Sequence, residues 1–126
     1  MKKLFVSVPM KNRTKEEIRV SIQKMKQIAE IYEGEELELI DTYIKDTPPE
    51  NKNESIWYLG KSIQMLAQAD VFIAISDSYF WNGCAIETET ANRYGIKSYS
   101  IPGKYVINDY NDYKTQFTDD STRDWF

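Results

Sequence analysis

The chain has no histidine and a single cysteine, Cys84. Without imidazole, a zinc site is disfavoured, and the Ser-His and Cys-His nucleophile pairs are excluded. One thiol cannot form an internal disulfide. Positive charge is not in excess either: 16 Lys and Arg stand against 20 Asp and Glu, for a net charge of −4. That balance argues against a nucleic-acid binder, which would carry a basic face. No apolar run reaches the ~20 residues that a membrane span needs. The opening "MKKLFVSVPM" has the charged start and short apolar run of a leader peptide. The run is too short, Pro9 interrupts it and no small-residue cleavage site follows, so a strand is expected there. Any catalysis must rest on carboxylates, hydroxyls, Tyr, Lys or the backbone.

What remains is a globular composition. The 126 residues are 41% hydrophobic and 13% aromatic, enough for one domain with a core and too few for two comfortable ones. "KLFVSV" (3–8) is a short run of β-formers closed by Pro9 and reads as a buried strand. "TKEE" at 14–17 has capping-box spacing; Ile18, Ile22, Met25 and Ala29 then recur at helical spacing until Gly34 stops the helix. "LELID" (37–41) reads as a second strand, and the polar, proline-containing "KDTPPENKNE" as a loop. Ile56, Leu59, Ile63 and Leu66 mark a helix ending near Gln68. "DVFIAIS" (70–76) is a strand apolar on both faces, a third helix runs from about Cys84 to Tyr94 with Gly95 beyond it, and "KSYSIP" is a last short strand.

Strands alternating with amphipathic helices predict a three-layer α/β fold. Its sheet should be mostly parallel and four- to five-stranded, with helices on both faces in Rossmann or flavodoxin manner. Residues 1–104 form this domain. The segment 105–126 is an aromatic-rich tail with Tyr105, Tyr110, Tyr113, Phe117, Trp125 and Phe126, expected to pack on the domain or on a second copy. Ligands in such folds bind outside the carboxyl ends of the strands, here after Val8, Asp41, Ser76 and Ser100.

Glu87 lies just behind that edge. In the first turn of the third helix it would meet partial positive charge and unpaired N–H groups, which favour an ionised carboxylate by ~0.3–1 kcal/mol. A charged glutamate suits a nucleophile, or a stabiliser of a developing cation, and suits a general acid badly. Glu89 lies roughly 200° round the helix and cannot face the same pocket. Cys84, Ala91 and Tyr94 share the side of Glu87, while Glu89 pairs with Arg93 at i, i+4. Acidic residues also enrich the first turns of ordinary surface helices, so the pattern alone leaves both readings open. Cys84 reads as a small buried residue, Asp70 as a turn or cap, Asp41 as the end of a peripheral strand, and Trp57 and Tyr58 as packing residues. "DYNDYKTQFTDD" lacks EF-hand spacing and reads as a solvated acidic segment.

"LFVSVPM", "SIQMLAQADVFIAIS" and "GCAIETETA" together resemble the nucleoside 2-deoxyribosyltransferase family, in particular its small phage-type and bacterial members, over roughly residues 3–102. Gly83, Glu87 and Ala91 match the family's loop glycine, helix glutamate and following alanine. The resemblance implies that Glu87 attacks the anomeric carbon of a 2-deoxynucleoside through an oxocarbenium-like transition state. A covalent deoxyribosyl-enzyme forms, and a second base or water then takes the sugar. It also implies that Ser7, Pro9 and Met10 line the sugar or base pocket with Gly83, that Asp77 lies near the sugar hydroxyls, and that Phe80 and Trp81 stack on the base. Phe5 stands where family transferases usually carry a tyrosine that orients the glutamate. Ser62, which can hydrogen-bond a ligand, stands where many carry a sugar-binding aspartate. The matching expectations are a cytoplasmic homodimer or higher homo-oligomer acting on a small-molecule nucleoside or nucleotide, with no cofactor or metal and no nucleic-acid or membrane partner. The alternatives are a non-catalytic protein that binds a nucleotide-like ligand in the same pocket, and a partner-binding protein that uses the aromatic tail.

Overall fold

The structure, a computed structural model, describes residues 1–50 and 53–117. Four strands, β1 (Lys3–Ser7), β2 (Glu38–Leu39), β3 (Val71–Ile75) and β4 (Lys97–Ile101), form one sheet in the order β2-β1-β3-β4. All three pairings are parallel. Helices α1 (Lys15–Glu33), α2 (Glu54–Leu66), α3 (Asn82–Arg93) and a short α4 (Tyr110–Thr115) complete the chain. Among the described residues no helix is long and apolar enough to cross a membrane.

Alternation along β1 sorts the layers. Leu4 and Val6 face Met25 and Ala29 of α1, together with Val71, Ile73 and Ile75 of β3. Phe5 faces the other way, into a smaller cluster with Phe72 and Ala74 of β3, Leu66 of α2 and Ala91 of α3. The result is a three-layer α/β fold with helices on both faces of a four-stranded parallel sheet. Ser7 has the parity of Phe5 and so belongs to the α2/α3 side.

Local signals account for the boundaries of α1. The Thr14 hydroxyl accepts from the Glu17 N–H at 3.1 Å, and the Glu17 carboxylate accepts from the Thr14 N–H at 2.7 Å. Gly34 closes the helix in the left-handed region at φ 73°, donating its N–H to the Glu30 carbonyl at 2.8 Å. The second strand is shorter than the run 37–41 predicts. The N–H groups of Glu38 and Ile40 do reach the carbonyls of Lys2 and Leu4, but the Asp41 carboxylate then accepts from the Tyr43 N–H and turns the chain away. Asp70 accepts from the Lys3 N–H at 2.8 Å, a capping role at the amino edge.

Two expectations need correcting. The third helix begins at Asn82 rather than Cys84, with Trp81 as its N-cap, so Asn82-Gly83 is the first turn of a helix and not a loop. The described part of the segment "DYNDYKTQFTDD", residues 109–117, is not simply solvated: Tyr110, Tyr113 and Phe117 are buried with Val106 and Ile107 against the α1 side of the sheet. They close over Trp81, whose ring stacks on Tyr113 at 5.8 Å and meets Phe117 edge-on at 5.6 Å. Polar pins reinforce the contact, with Tyr113 donating to the Lys11 carbonyl at 2.7 Å and Ser21 to the Val106 carbonyl at 2.7 Å. Gly103 is required beneath this segment, because a Cβ there would lie 2.3 Å from the Tyr110 ring. Trp125 and Phe126 lie outside the described residues.

This packing makes Trp81 the main aromatic support of the α1 side. Trp81→Ala is expected to cost ~3–5 kcal/mol in urea unfolding, as for other buried tryptophans. Tyr94→Ala, at an 81% exposed position, should stay within ~0.5 kcal/mol.

Candidate functional site

The strand order β2-β1-β3-β4 puts a topological switch point between β1 and β3: the chain leaves β1 towards one edge and β3 towards the other. Ser7 is the last residue of β1 at this point. On α2, Ser62 lies one turn before Leu66, and these two are the buried residues of that helix. On α3, Cys84, Glu87 and Ala91 recur at helical spacing on the buried face. Three elements thus deliver three polar side chains to one spot.

There the Ser7 hydroxyl donates to Glu87 Oε1 at 2.6 Å, and the Ser62 hydroxyl donates to Glu87 Oε2. Glu87 is only 6% exposed. Among the described residues no lysine or arginine forms an ion pair with it. Burial pushes its carboxyl above the ordinary glutamate value, while the two serine donors act in the opposite direction. This corrects the expectation of a carboxylate kept charged by the helix start. Glu87 is in the second turn of α3, beyond the reach of the terminal partial charge, and desolvation dominates.

Cys84 is buried beside it. Burial raises its thiol to about 12, the nearby Glu87 acts in the same direction, and its hydrogen-bond contact with Ser7 opposes them. It is a neutral thiol at physiological pH and not a nucleophile. Tyr94, expected on the same side, is 81% exposed and already outside the helix.

The remaining expected site residues divide into two groups. Pro9, which is buried, and Met10, which is exposed, follow Ser7 after Val8, and Gly83 is buried in the first turn of α3. Asp77, Phe80 and Trp81 turn instead towards the C-terminal segment. The Asp77 carboxylate accepts from the Tyr110 hydroxyl at 2.5 Å and pairs with Lys114 at 3.2 Å. Burial, then Asp77, raises the Tyr110 hydroxyl above its ordinary value. Phe80 stacks on Tyr79 at 4.4 Å and carries the Lys114 ammonium over its ring at 5.5 Å. Trp81 is 1% exposed and has no face free for a base. The expected stacking role for Trp81 and the open sugar contact for Asp77 are therefore not what these side chains do here. The partners missed from the sequence are Tyr110 and Lys114; the density of aromatics after Lys104 was the signal that this segment packs, but not where.

Two concavities of the described surface lie elsewhere. One of about 390 Å³ is lined by Lys3, Leu39, Asp41, Met65 and Gln68 at the β2 edge. Another of about 480 Å³ is lined by Ser76, Tyr79, Ala85, Thr88, Asn92 and Arg93 along the outer side of α3. Neither is lined by Glu87.

A carboxyl whose native pKa is raised contributes its stability fully below the unfolded value, and this is lost as pH rises through the native value. Glu87 therefore weakens the fold on the alkaline side of that window. Glu87→Gln removes the ionisation, so in thermal unfolding the variant should be the more stable protein at pH 8, by a margin that grows with pH. The two proteins should converge near pH 4. A deficit of the variant that grows with pH would contradict the assignment.

No protein-family profile, curated protein or solved structure matches the chain.

Proposed function

We propose that the protein acts on the N-glycosidic bond of a nucleoside or nucleotide, by deoxyribosyl transfer or hydrolysis, with Glu87 as the nucleophile. The observation that carries this reading is a lone buried carboxylate at the carboxyl edge, held through both oxygens by hydroxyls from β1 and α2. Burying such a group without a cation is costly and is characteristic of functional sites. The resemblance of "GCAIETETA" to the deoxyribosyltransferase glutamate motif supplies the reaction class.

In this mechanism a Glu87 oxygen forms a bond to the anomeric carbon as the carbon–nitrogen bond breaks. The base leaves with the electron pair and takes a proton from solvent. Water or a second base then attacks the anomeric carbon of the glycosyl ester, breaking its bond to Glu87, loses a proton to solvent and returns the carboxylate, with net retention. Serine hydroxyls aimed at both oxygens suit each ionised state of this cycle. Because Glu87 is closed off in the described form, the carboxyl edge beside Ser7 must open to admit the sugar. A cytoplasmic homo-oligomer taking a free nucleoside or nucleotide belongs to the same proposal.

A second reading is favoured by a specific observation. Both Glu87 oxygens are engaged and Asp77 is occupied by Tyr110 and Lys114, an arrangement that suits a protein binding a nucleotide-like ligand without turnover.

Incubation with 2′-deoxynucleosides and their 5′-monophosphates, followed by chromatography of free base, separates these readings. The expected outcome is base release that rises with pH as Glu87 ionises and that is lost in Glu87→Ala. Release unchanged in the variant would remove Glu87 as the nucleophile. Nucleotides that raise the unfolding midpoint yet stay intact for hours would select the binding reading.

A further inference from the structure

We infer that Ser7 and Ser62 are positioning residues: their hydroxyls, in place of a cation, hold the Glu87 carboxylate in one orientation and fix the pH at which it becomes available for chemistry. The inference rests on the reading above only for what that chemistry is.

Proton counting carries the argument. A serine hydroxyl has one proton. Ser7 spends its proton on Oε1 and Ser62 on Oε2, so the carboxylate receives one donor on each oxygen. Donors on both oxygens restrain rotation of the carboxylate plane. They also come from separate layers, one from the end of β1 and one from α2, so the orientation is tied to the packing of sheet against helices. An ionised carboxylate is acceptor-only and satisfies both donors. A protonated one is a weaker acceptor and carries an O–H of its own; when that O–H turns to a serine oxygen the contact reverses, and the displaced serine proton then needs a new acceptor. For Ser7 the available neighbour is the Cys84 sulfur, a weak acceptor. The hydroxyls therefore favour the charged form against the burial that opposes it.

Among the described residues no cation takes this task from the serines. On α3 the titratable neighbour is Cys84, a neutral thiol. On α2, Lys61 beside Ser62 turns away to Asp46 at 3.2 Å. From the sheet the same side receives Phe5, Phe72 and Ala74. Phe5 lies against Phe72, with ring centres 5.9 Å apart. Ser7, two residues further along β1, is therefore the strand position that presents a hydroxyl to the carboxylate.

The test is the titration of Glu87 itself, followed by carbon-13 NMR of the full chain labelled at glutamate carboxyls, with the resonance identified by its loss in Glu87→Gln. Ser7→Ala and Ser62→Ala are each expected to lower the ionisation constant about tenfold, moving the midpoint up by about one pH unit. Ser→Thr at either position should restore it. Ser→Val, which has the shape of Thr without the hydroxyl, should not, and this pair decides the matter if the alanine variants fail to fold. Midpoints unmoved by loss of the hydroxyl overturn the proposal. In the base-release assay the acid limb of kcat/KM should move by the same amount, with KM on the alkaline plateau unchanged. A KM raised at every pH with an unmoved limb would make the serines substrate contacts and would also overturn it. If the wild type releases no base but the midpoint moves as stated, the positioning role stands and the glycosidic reading falls.

Discussion

Desolvation of one carboxylate is the constraint around which the α2/α3 side of the sheet is arranged. Glu87 enters an interior built from Phe5, Phe72, Leu66 and Ala91, where an ion lacking partners would be unfavourable by several kcal/mol. Two short hydroxyl side chains meet it at positions where larger residues would fill the space. Serine is favoured at caps and turns rather than within regular elements, yet Ser62 sits inside α2 and Ser7 ends β1. Their presence there follows from the partner they face and not from local propensity.

Much of the fold was legible because it rests on local rules. The Thr14–Glu17 box, Gly34, and the continuous apolar run of β3 each encode their own boundaries. The misreadings came where a distant part of the chain decides the outcome. Asn82-Gly83 has turn chemistry, yet it becomes the first turn of a helix because Trp81, just before it, is anchored by Tyr113 and Phe117. Those rings lie in the C-terminal tail, whose aromatics predicted packing but not the surface on which it packs.

The site shows the same division. Helical spacing from Cys84 through Glu87 to Ala91 identified the inward carboxylate, and the family resemblance put Ser7 in the same pocket. The ionisation of Glu87 was not legible, since it depends on the true start of α3 and on how completely the neighbouring layers exclude water. Ser62 was visible as a candidate for ligand contact; that its hydroxyl turns to Glu87 depends on how α2 docks against α3. Asp77 and Phe80 follow β3 at the carboxyl edge, as expected, but their side chains satisfy the C-terminal segment.

That segment has a consequence for how the chain reaches its native state. Tyr113 closes on the Lys11 carbonyl, 102 residues earlier in sequence. All four strands leave the ribosome before the aromatic cluster that covers the α1 side of the sheet. A nascent chain stopped at β4 can pair its strands yet leaves Trp81 uncovered, a greasy surface open to chaperones and to self-association. Completion of the carboxyl edge is therefore a late, long-range event, and translation itself sets the earliest moment at which the pocket residues come under their final restraint.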